Sequence, residues 1–170
     1  MKKKSMKNIR TILTILSAVL LILLPGCGGE LECPLNSTSM ARFNFLDSKT
    51  HASVKLANRA TVIGIATVNG KTEVDTVFNQ AESYMSVPLS YTDQTVYVIH
   101  YTETMRDTIV LKHKNIPFVS DIECPVLMNY EVEGLNYTTY ALDSVKLVNP
   151  KITYEETINF HIYYRTNSAE

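Results

Sequence analysis

After the first forty residues, hydrophobic and polar residues alternate in short runs separated by turn-forming residues. The clearest run is TVYVIHYT, over residues 95–102, in which every second side chain points to the same face of a strand. Tyr97 and Ile99 therefore share one face, and Val96 and Val98 share the other. An alternation with a period of two is typical of a β-strand with one buried face.

Similar runs recur along the chain, and Asn69-Gly70 between two of them is the strongest short signal for a β-hairpin. No apolar stripe with the 3.6-residue period of a helix is sustained after the first 27 residues, and only residues 133–140 leave room for one. Residues 134–136 and Asn149-Pro150 have the composition of loops. The predicted strands cover residues 40–46, 60–68, 72–78, 83–88, 95–102, 108–113, 126–132, 143–148 and 157–165.

Short strands at near-regular spacing, with turns between them, are typical of two packed antiparallel sheets. We therefore expect an all-β protein, an antiparallel β-sandwich of the immunoglobulin-like kind with about seven to nine strands, over residues 40–166. A cleaved signal helix is expected to precede it, and residues 167–170 would form a short C-terminal tail.

The first 26 residues have the features of a cleaved signal peptide. Residues 1–10 contain five basic residues and no acidic one, and residues 11–24 form an uncharged, mainly apolar run. As a helix that run would span roughly 21 Å, which is short of the ~30 Å hydrocarbon core of a membrane. The segment therefore fits a signal peptide better than a transmembrane helix.

Leu24-Pro25-Gly26-Cys27 follows, which resembles the bacterial lipobox: an apolar residue three positions before a cysteine and a small residue directly before it. We expect cleavage after residue 26, attachment of acyl chains such as palmitate to Cys27, and a tether over residues 27–39. The alternative is a secreted protein with a cysteine there by chance. The location would be the cell envelope, as an outer-membrane lipoprotein. Glu30 and Glu32 weakly resemble a surface-export signal, so the periplasmic or surface face stays open.

The distribution of charge along the chain indicates which classes of partner the protein can bind. Five of the 16 basic residues lie in the signal, whereas all 17 acidic residues follow it, so residues 27–170 carry 11 basic and 17 acidic residues and a net charge of −6. Nucleic-acid partners require clustered Lys and Arg, so none is expected. The membrane, reached through the lipid anchor, is the one partner that the sequence indicates directly.

Two cysteines remain after Cys27, and both precede proline. An exported protein meets an oxidising environment, so Cys33 and Cys124 are candidates for a disulfide that would join the tether to a segment 91 residues away. Two free, buried thiols are the alternative. Because no Cys-x-x-Cys spacing exists, a zinc site or a thioredoxin-like site is not expected.

Catalytic and cofactor motifs are lacking in the sequence. The four histidines show no metal-ligand spacing; His100 and His161 would be neighbours only if their strands were paired, and a polar strand face explains them better. Glu131 and Glu133 share one strand face, which is usually solvated. We therefore expect no catalytic residue, no metal and no cofactor.

Three tripeptides of the form Asp-(Ser/Thr)-apolar can be interpreted in two ways. They resemble acceptors for O-glycosylation in Bacteroidetes, but an aspartate that ends a turn before a β-branched strand gives the same pattern, and we favour that explanation. The tripeptides are Asp75-Thr76-Val77, Asp107-Thr108-Ile109 and Asp143-Ser144-Val145.

Several of these features, taken in order, resemble one family. They are Cys27, Cys33-Pro34, a Phe-rich early strand, Asp107-Thr108-Ile109-Val110-Leu111, Phe118-Val119-Ser120 before Cys124, Asp143-Ser144-Val145 followed by Asn149, and His161-Ile162-Tyr163-Tyr164. The order is similar to a family of uncharacterised Bacteroidetes lipoproteins, DUF6452, over most of residues 27–165. The resemblance implies an envelope lipoprotein and no assigned activity.

The sequence is compatible with two classes of function. The first is a non-enzymatic binding or structural module, tethered by lipid, whose strand edges and loops contact an envelope protein or a glycan. The alternative is an envelope enzyme that acts on glycan or peptide bonds. A concave pocket with convergent His, Asp, Glu or Ser side chains would favour the enzyme.

Overall fold

The structure, a computed structural model, describes residues 33, 38–56, 60–80, 82–119, 121–122 and 124–165. Within them the chain is all-β and forms two sheets, which confirms the predicted class, with ten strands where seven to nine were expected. The strands are β1 Met40–Asp47, β2 Ala60–Val68, β3 Lys71–Gln80, β4 Tyr84–Pro88, β5 Gln94–His100, β6 Arg106–Phe118, β7 Leu127–Tyr137, β8 Leu142–Leu147, β9 Lys151–Ile152 and β10 Phe160–Tyr164. Across these ranges there is no helix long and apolar enough to cross a membrane.

One sheet has four strands in the order β4-β1-β10-β8, and the other has six in the order β3-β2-β5-β6-β7-β9. All strand pairs are antiparallel except β1 and β10, the first and last strands, which run parallel with Phe43 opposite Phe160. Parallel neighbours need a long connection between them, and here that connection is most of the domain.

The core forms from the alternate positions of each strand. In β1, Phe43 and Phe45 are fully buried, and the Phe43 ring stacks on that of Phe160 with 4.4 Å between the ring centroids. In β5, Tyr97 and Ile99 are fully buried, whereas Val96 and Val98 are half-buried. The facing predicted from the alternation of residues 95–102 is therefore confirmed.

The β2–β3 hairpin also follows the prediction. Asn69 and Gly70 have φ angles of 51° and 75°, the left-handed backbone at both central positions that a two-residue type I′ turn requires. Gly70 adopts this conformation without steric cost. The turn fixes the pairing of Val68 with Lys71.

No helix forms at residues 133–140, where the sequence left room for one. The predicted loop at 134–136 is wrong, because β7 continues as a strand to Tyr137. The thirteen-residue strand β6 supplies partners along this whole length. A bulge accommodates the register, since Lys112 pairs with Gly134 and His113 with Val132, which leaves Glu133 as the extra residue. A Cβ on Gly134 would stand 3.4 Å from the Cβ of Lys112, so the glycine permits a close approach there.

Candidate functional site

Cys33 and Cys124 form a disulfide, with 5.5 Å between their Cα atoms. This decides between the two alternatives that the sequence left open. Cys124 lies in the loop after β6, so the bond fastens the segment before β1 to the tip of the β6–β7 hairpin. Cys27 and the signal lie outside the described residues.

The histidines are dispersed. His100 lies in β5 of the six-stranded sheet and His161 in β10 of the four-stranded sheet, so the idea that they are neighbours across one sheet is wrong. Among the residues that the structure describes, no group of three or more His, Cys, Asp or Glu side chains converges as a metal site would require.

The three Asp-(Ser/Thr)-apolar tripeptides have different environments. Asp75 lies within the edge strand β3 and is exposed, so the explanation that the aspartate ends a turn does not hold there. Asp143, near the start of β8, is exposed and faces Arg165, with 3.5 Å between Oδ1 and Nε. Asp107, near the start of β6, is completely buried.

Asp107 fastens the loop between β7 and β8. Its carboxylate accepts hydrogen bonds from the Thr138 hydroxyl at 2.7 Å and from the backbone N–H groups of Tyr140, Ala141 and Leu142 at 2.7–2.9 Å. Because both oxygens are occupied and the side chain is inaccessible, Asp107 is a structural anchor. It has no free acceptor with which to contact a ligand.

A concave surface lies where the β2–β3 hairpin faces the β4–β5 loop. This cleft has a volume of about 730 Å³, within the range of roughly 300–1,000 Å³ that small-molecule sites occupy. Its floor includes Gly64 and Thr95, which lie on the inner face of the six-stranded sheet. An added Cβ at Gly64 would stand 3.0 Å from Val77, so a side chain there would press on the cleft wall.

Two carboxylates and an exposed aromatic ring line this cleft. Glu73 and Asp75 are two positions apart in β3 and so point to the same side, and Tyr91 from the β4–β5 loop is 79% exposed. Within the described part of the chain, neither carboxylate has an ion-pair or hydrogen-bond partner. The cleft therefore offers hydrogen-bond acceptors, an aromatic face and the apolar residues Val77 and Leu89.

A buried polar network holds the β4–β5 loop beside the cleft. Asn115 donates from Nδ2 to the carbonyl oxygens of Tyr91 and Thr92 at 2.7 and 3.1 Å. Since carbonyl oxygens only accept, Asn115 Oδ1 must face His113, 2.8 Å away, and His113 Nδ1 must be the donor. His113 Nε2 then accepts from the Thr95 hydroxyl at 2.8 Å.

Burial of His113 within this network favours the neutral form of its ring. The ring is 1% exposed, and burial lowers the pKa of His113, although the hydrogen bond to Asn115 and the charge of Asp93 act in the opposite direction. The order hydroxyl, imidazole and amide resembles the geometry of a catalytic triad. Thr95, however, is only 3% exposed, and its oxygen also accepts the backbone N–H of Ser90 at 2.9 Å.

A second cleft, of about 560 Å³, lies along the other side of β3, where that strand faces β4. Arg42 lines it and forms an ion pair with Glu156 at 2.9 Å. Tyr84, which is 50% exposed, stands at its margin. Val77 lines both clefts, so the two are neighbours along the edge strand.

Sequence reasoning missed both clefts, because each joins residues that lie in different strands or loops. The one signal that bore on the first cleft was the Asn69-Gly70 turn, which places β3 beside β2 but says nothing of β4. Likewise, His113 and Asn115 have the i, i+2 spacing that puts two side chains on one strand face, but their contact with Thr95 depends on the pairing of β5 with β6.

Comparison with known proteins gives one match. A family model described as "Family of unknown function (DUF6452)" matches residues 60–164, which run from β2 to β10. No curated protein and no solved structure matches.

Proposed function

This chain belongs to the DUF6452 family, whose function is unknown, and from that premise we propose that it is a membrane-anchored lipoprotein of the Bacteroidetes envelope that acts as a non-enzymatic binding module. The basic residues 1–10, the apolar run 11–24 and Gly26-Cys27 support the anchor. Each buried CH₂ of an acyl chain contributes ~0.8 kcal/mol, so several chains on Cys27 hold the protein firmly. The outer membrane is the proposed location, on either its periplasmic or its surface face.

The observation that carries the binding role is the 730 Å³ cleft between β3 and the β4–β5 loop. Its chemistry suits a saccharide. The exposed ring of Tyr91 offers a flat surface on which a sugar ring stacks, and the unpaired carboxylates of Glu73 and Asp75 accept hydrogen bonds from sugar hydroxyls. A purely apolar ligand would leave both carboxylates desolvated without a partner.

The anchor is tested by metabolic labelling with a fatty-acid probe. We expect label on the wild-type protein and none on Cys27→Ala, because that thiol is the proposed acceptor. Equal labelling of the two proteins would refute lipidation at this position.

The cleft is tested by titrating envelope saccharides into the lipidated protein in detergent. Tyr91→Ala is expected to weaken binding about tenfold, or ~1.4 kcal/mol, and Glu73→Gln to weaken it as well. Tyr140→Ala is the matched control, since Tyr140 is 75% exposed but lies outside the cleft. Binding of a peptide but of no saccharide would support the binding module with a different class of ligand. If Tyr140→Ala weakened binding as much as Tyr91→Ala did, the cleft would not be the binding site.

A second candidate function is hydrolysis of glycan or peptide bonds, and the Thr95–His113–Asn115 network is the observation that favours it. Thr95 lines the cleft and its hydroxyl lies within reach of a neutral imidazole. Turnover by the wild-type protein that is lost in Thr95→Val, with the fold retained, would promote this reading. If the wild-type protein shows no turnover and Thr95→Val only lowers the free energy of unfolding, the network serves to attach the β4–β5 loop.

A further inference from the structure

The tip of the β6–β7 hairpin exposes an unusual set of aliphatic side chains. Ile122 is 94% exposed, Val126 63%, Val119 54% and Ile116 37%. Single exposed aliphatic residues are common on protein surfaces, but a group concentrated at one end of a hairpin marks an interaction surface. We call these four residues the hairpin tip.

An aromatic pair lies beside the hairpin tip. Phe118, the last residue of β6, stacks on Tyr154 with 6.0 Å between the ring centroids, and Tyr154 is 42% exposed. A tyrosine with an apolar ring and a polar hydroxyl is typical of the boundary between a membrane and water.

The disulfide brings the N-terminal segment to the same loop. Cys124, between Ile122 and Val126, is bonded to Cys33, and Cys33 is six residues after Cys27 in the sequence. A fully extended chain spans at most ~3.6 Å per residue, so Cys33 lies no farther than roughly 20 Å from a lipidated Cys27. The crosslink, with 5.5 Å between its Cα atoms, thus keeps the loop that contains Cys124 close to the anchor.

The tip also projects beyond its neighbours. β5 begins at Gln94, opposite Lys112, and the β4–β5 loop contacts β6 as far as Asn115, whereas β6 continues to Phe118. At the ~3.3 Å rise of a strand, the three residues from Asn115 to Phe118 extend about 10 Å beyond that contact. The cleft beside Thr95 is therefore set back from the tip.

We propose that the hairpin tip inserts its aliphatic side chains into the surface of the same bilayer that holds the lipid on Cys27, and that this contact orients the domain. The proposal rests on the lipid anchor of the proposed function. Apolar contact drives the insertion, because residues 27–170 carry a net charge of −6 and gain nothing from anionic headgroups. The cleft is then held above the membrane, open to a ligand.

The absence of tryptophan from the chain allows a direct test. Ile122→Trp places a single indole at the tip of the full lipidated protein, and Tyr140→Trp places one on the loop after β7. Both proteins are reconstituted in phosphatidylcholine vesicles with and without brominated acyl chains, and flotation of each protein with the vesicles is measured in the same samples. We expect severalfold stronger bromine quenching and a blue-shifted emission for Ile122→Trp.

Each outcome decides a separate point. A floating protein in which Ile122→Trp is quenched no more than Tyr140→Trp refutes the contact and leaves the anchor intact. A protein that carries no lipid and does not float refutes the anchor and this proposal together. Emission of Ile122→Trp that is blue-shifted but unquenched, and that depends on protein concentration, would assign the tip to a second copy of the chain and overturn the membrane contact. Val126→Trp repeats the test at a neighbouring position.

Discussion

The two ends of β6 are stabilised in opposite ways. At its start, Asp107 is fully buried and its carboxylate fastens the β7–β8 loop through four hydrogen bonds, with the hydrogen-bonded hydroxyls of Tyr101 and Tyr164 nearby. At its far end, the strand leads to a loop with exposed aliphatic side chains and a disulfide. One end is held from inside by polar groups, and the other is held by a covalent bond.

The difference follows from how much surface each end can bury. Around Asp107 the neighbouring loops close over the strand, so polar groups lie out of water and pair with one another. The far end of β6 extends beyond β5 and has fewer neighbours against which to pack. A crosslink compensates for this, because it stabilises by restricting the unfolded chain and needs no buried area.

Removal of the disulfide gives the largest expected effect. In the chain-entropy model a crosslink over 91 residues contributes on the order of 4–5 kcal/mol. The double variant Cys33→Ser with Cys124→Ser should lose a comparable free energy of unfolding in a denaturant titration. Hydrogen exchange should accelerate most around residues 119–126, while residues 138–142 stay protected. Equally accelerated hydrogen exchange at both ends of β6 would contradict the view that the two ends are stabilised differently.

Loss of the Asp107 carboxylate is expected to cost somewhat less, about 3 kcal/mol, because Asp107→Ala leaves several buried donors without an acceptor. Asp143→Ala is the matched control within a tripeptide of the same form. Its side chain is 47% exposed and its ion pair spans 3.5 Å, so a change below ~1 kcal/mol is expected. Thermal and denaturant unfolding measure both variants. Similar losses in the two would show that Asp107 is not an anchor.

The smallest expected effect is on the pH dependence of stability, through His113 beside the cleft. Burial lowers the pKa of His113 in the folded protein, so below the ordinary value of ~6.5 the unfolded chain binds more protons than the folded one. His113 therefore stabilises the fold fully above that pH, and this contribution is lost as the pH falls through and below it. Unfolding measured from about pH 7.5 to 5 should show a steeper acid loss in the wild type than in His113→Gln. His100→Gln controls for removal of an imidazole, and a steep loss that persists in His113→Gln would contradict the assignment.

The strand pattern was the most predictable part of the molecule. β2 begins and ends at the predicted residues, the Asn69-Gly70 turn has the predicted backbone, and the residues of β5 share the two faces as predicted. These features depend on local alternation and turn chemistry. The continuation of β7 through Gly134 was missed, because a glycine in a bulge has the same local composition as a glycine in a loop.

The candidate site was much less predictable. The pairing of Cys33 with Cys124 was one of two alternatives, and the exported character of the chain favoured it without deciding it. Nothing in the sequence distinguished Asp107 from Asp75 or Asp143, although one is an interior anchor and the others are exposed. Burial depends on which loop closes over a strand, and one strand's residues do not encode that.

The sequence by itself determined the class of fold and the location of the strands, because a period of two, turn residues and side-chain polarity act over a few neighbouring positions. Only the tertiary structure decided that β1 and β10 are parallel neighbours, that β3 and the β4–β5 loop enclose a cleft, and that Thr95, His113 and Asn115 share one network. Those arrangements join residues far apart in the chain. They are selected by the closure of the whole core, in which the gain from each contact depends on all the others being formed.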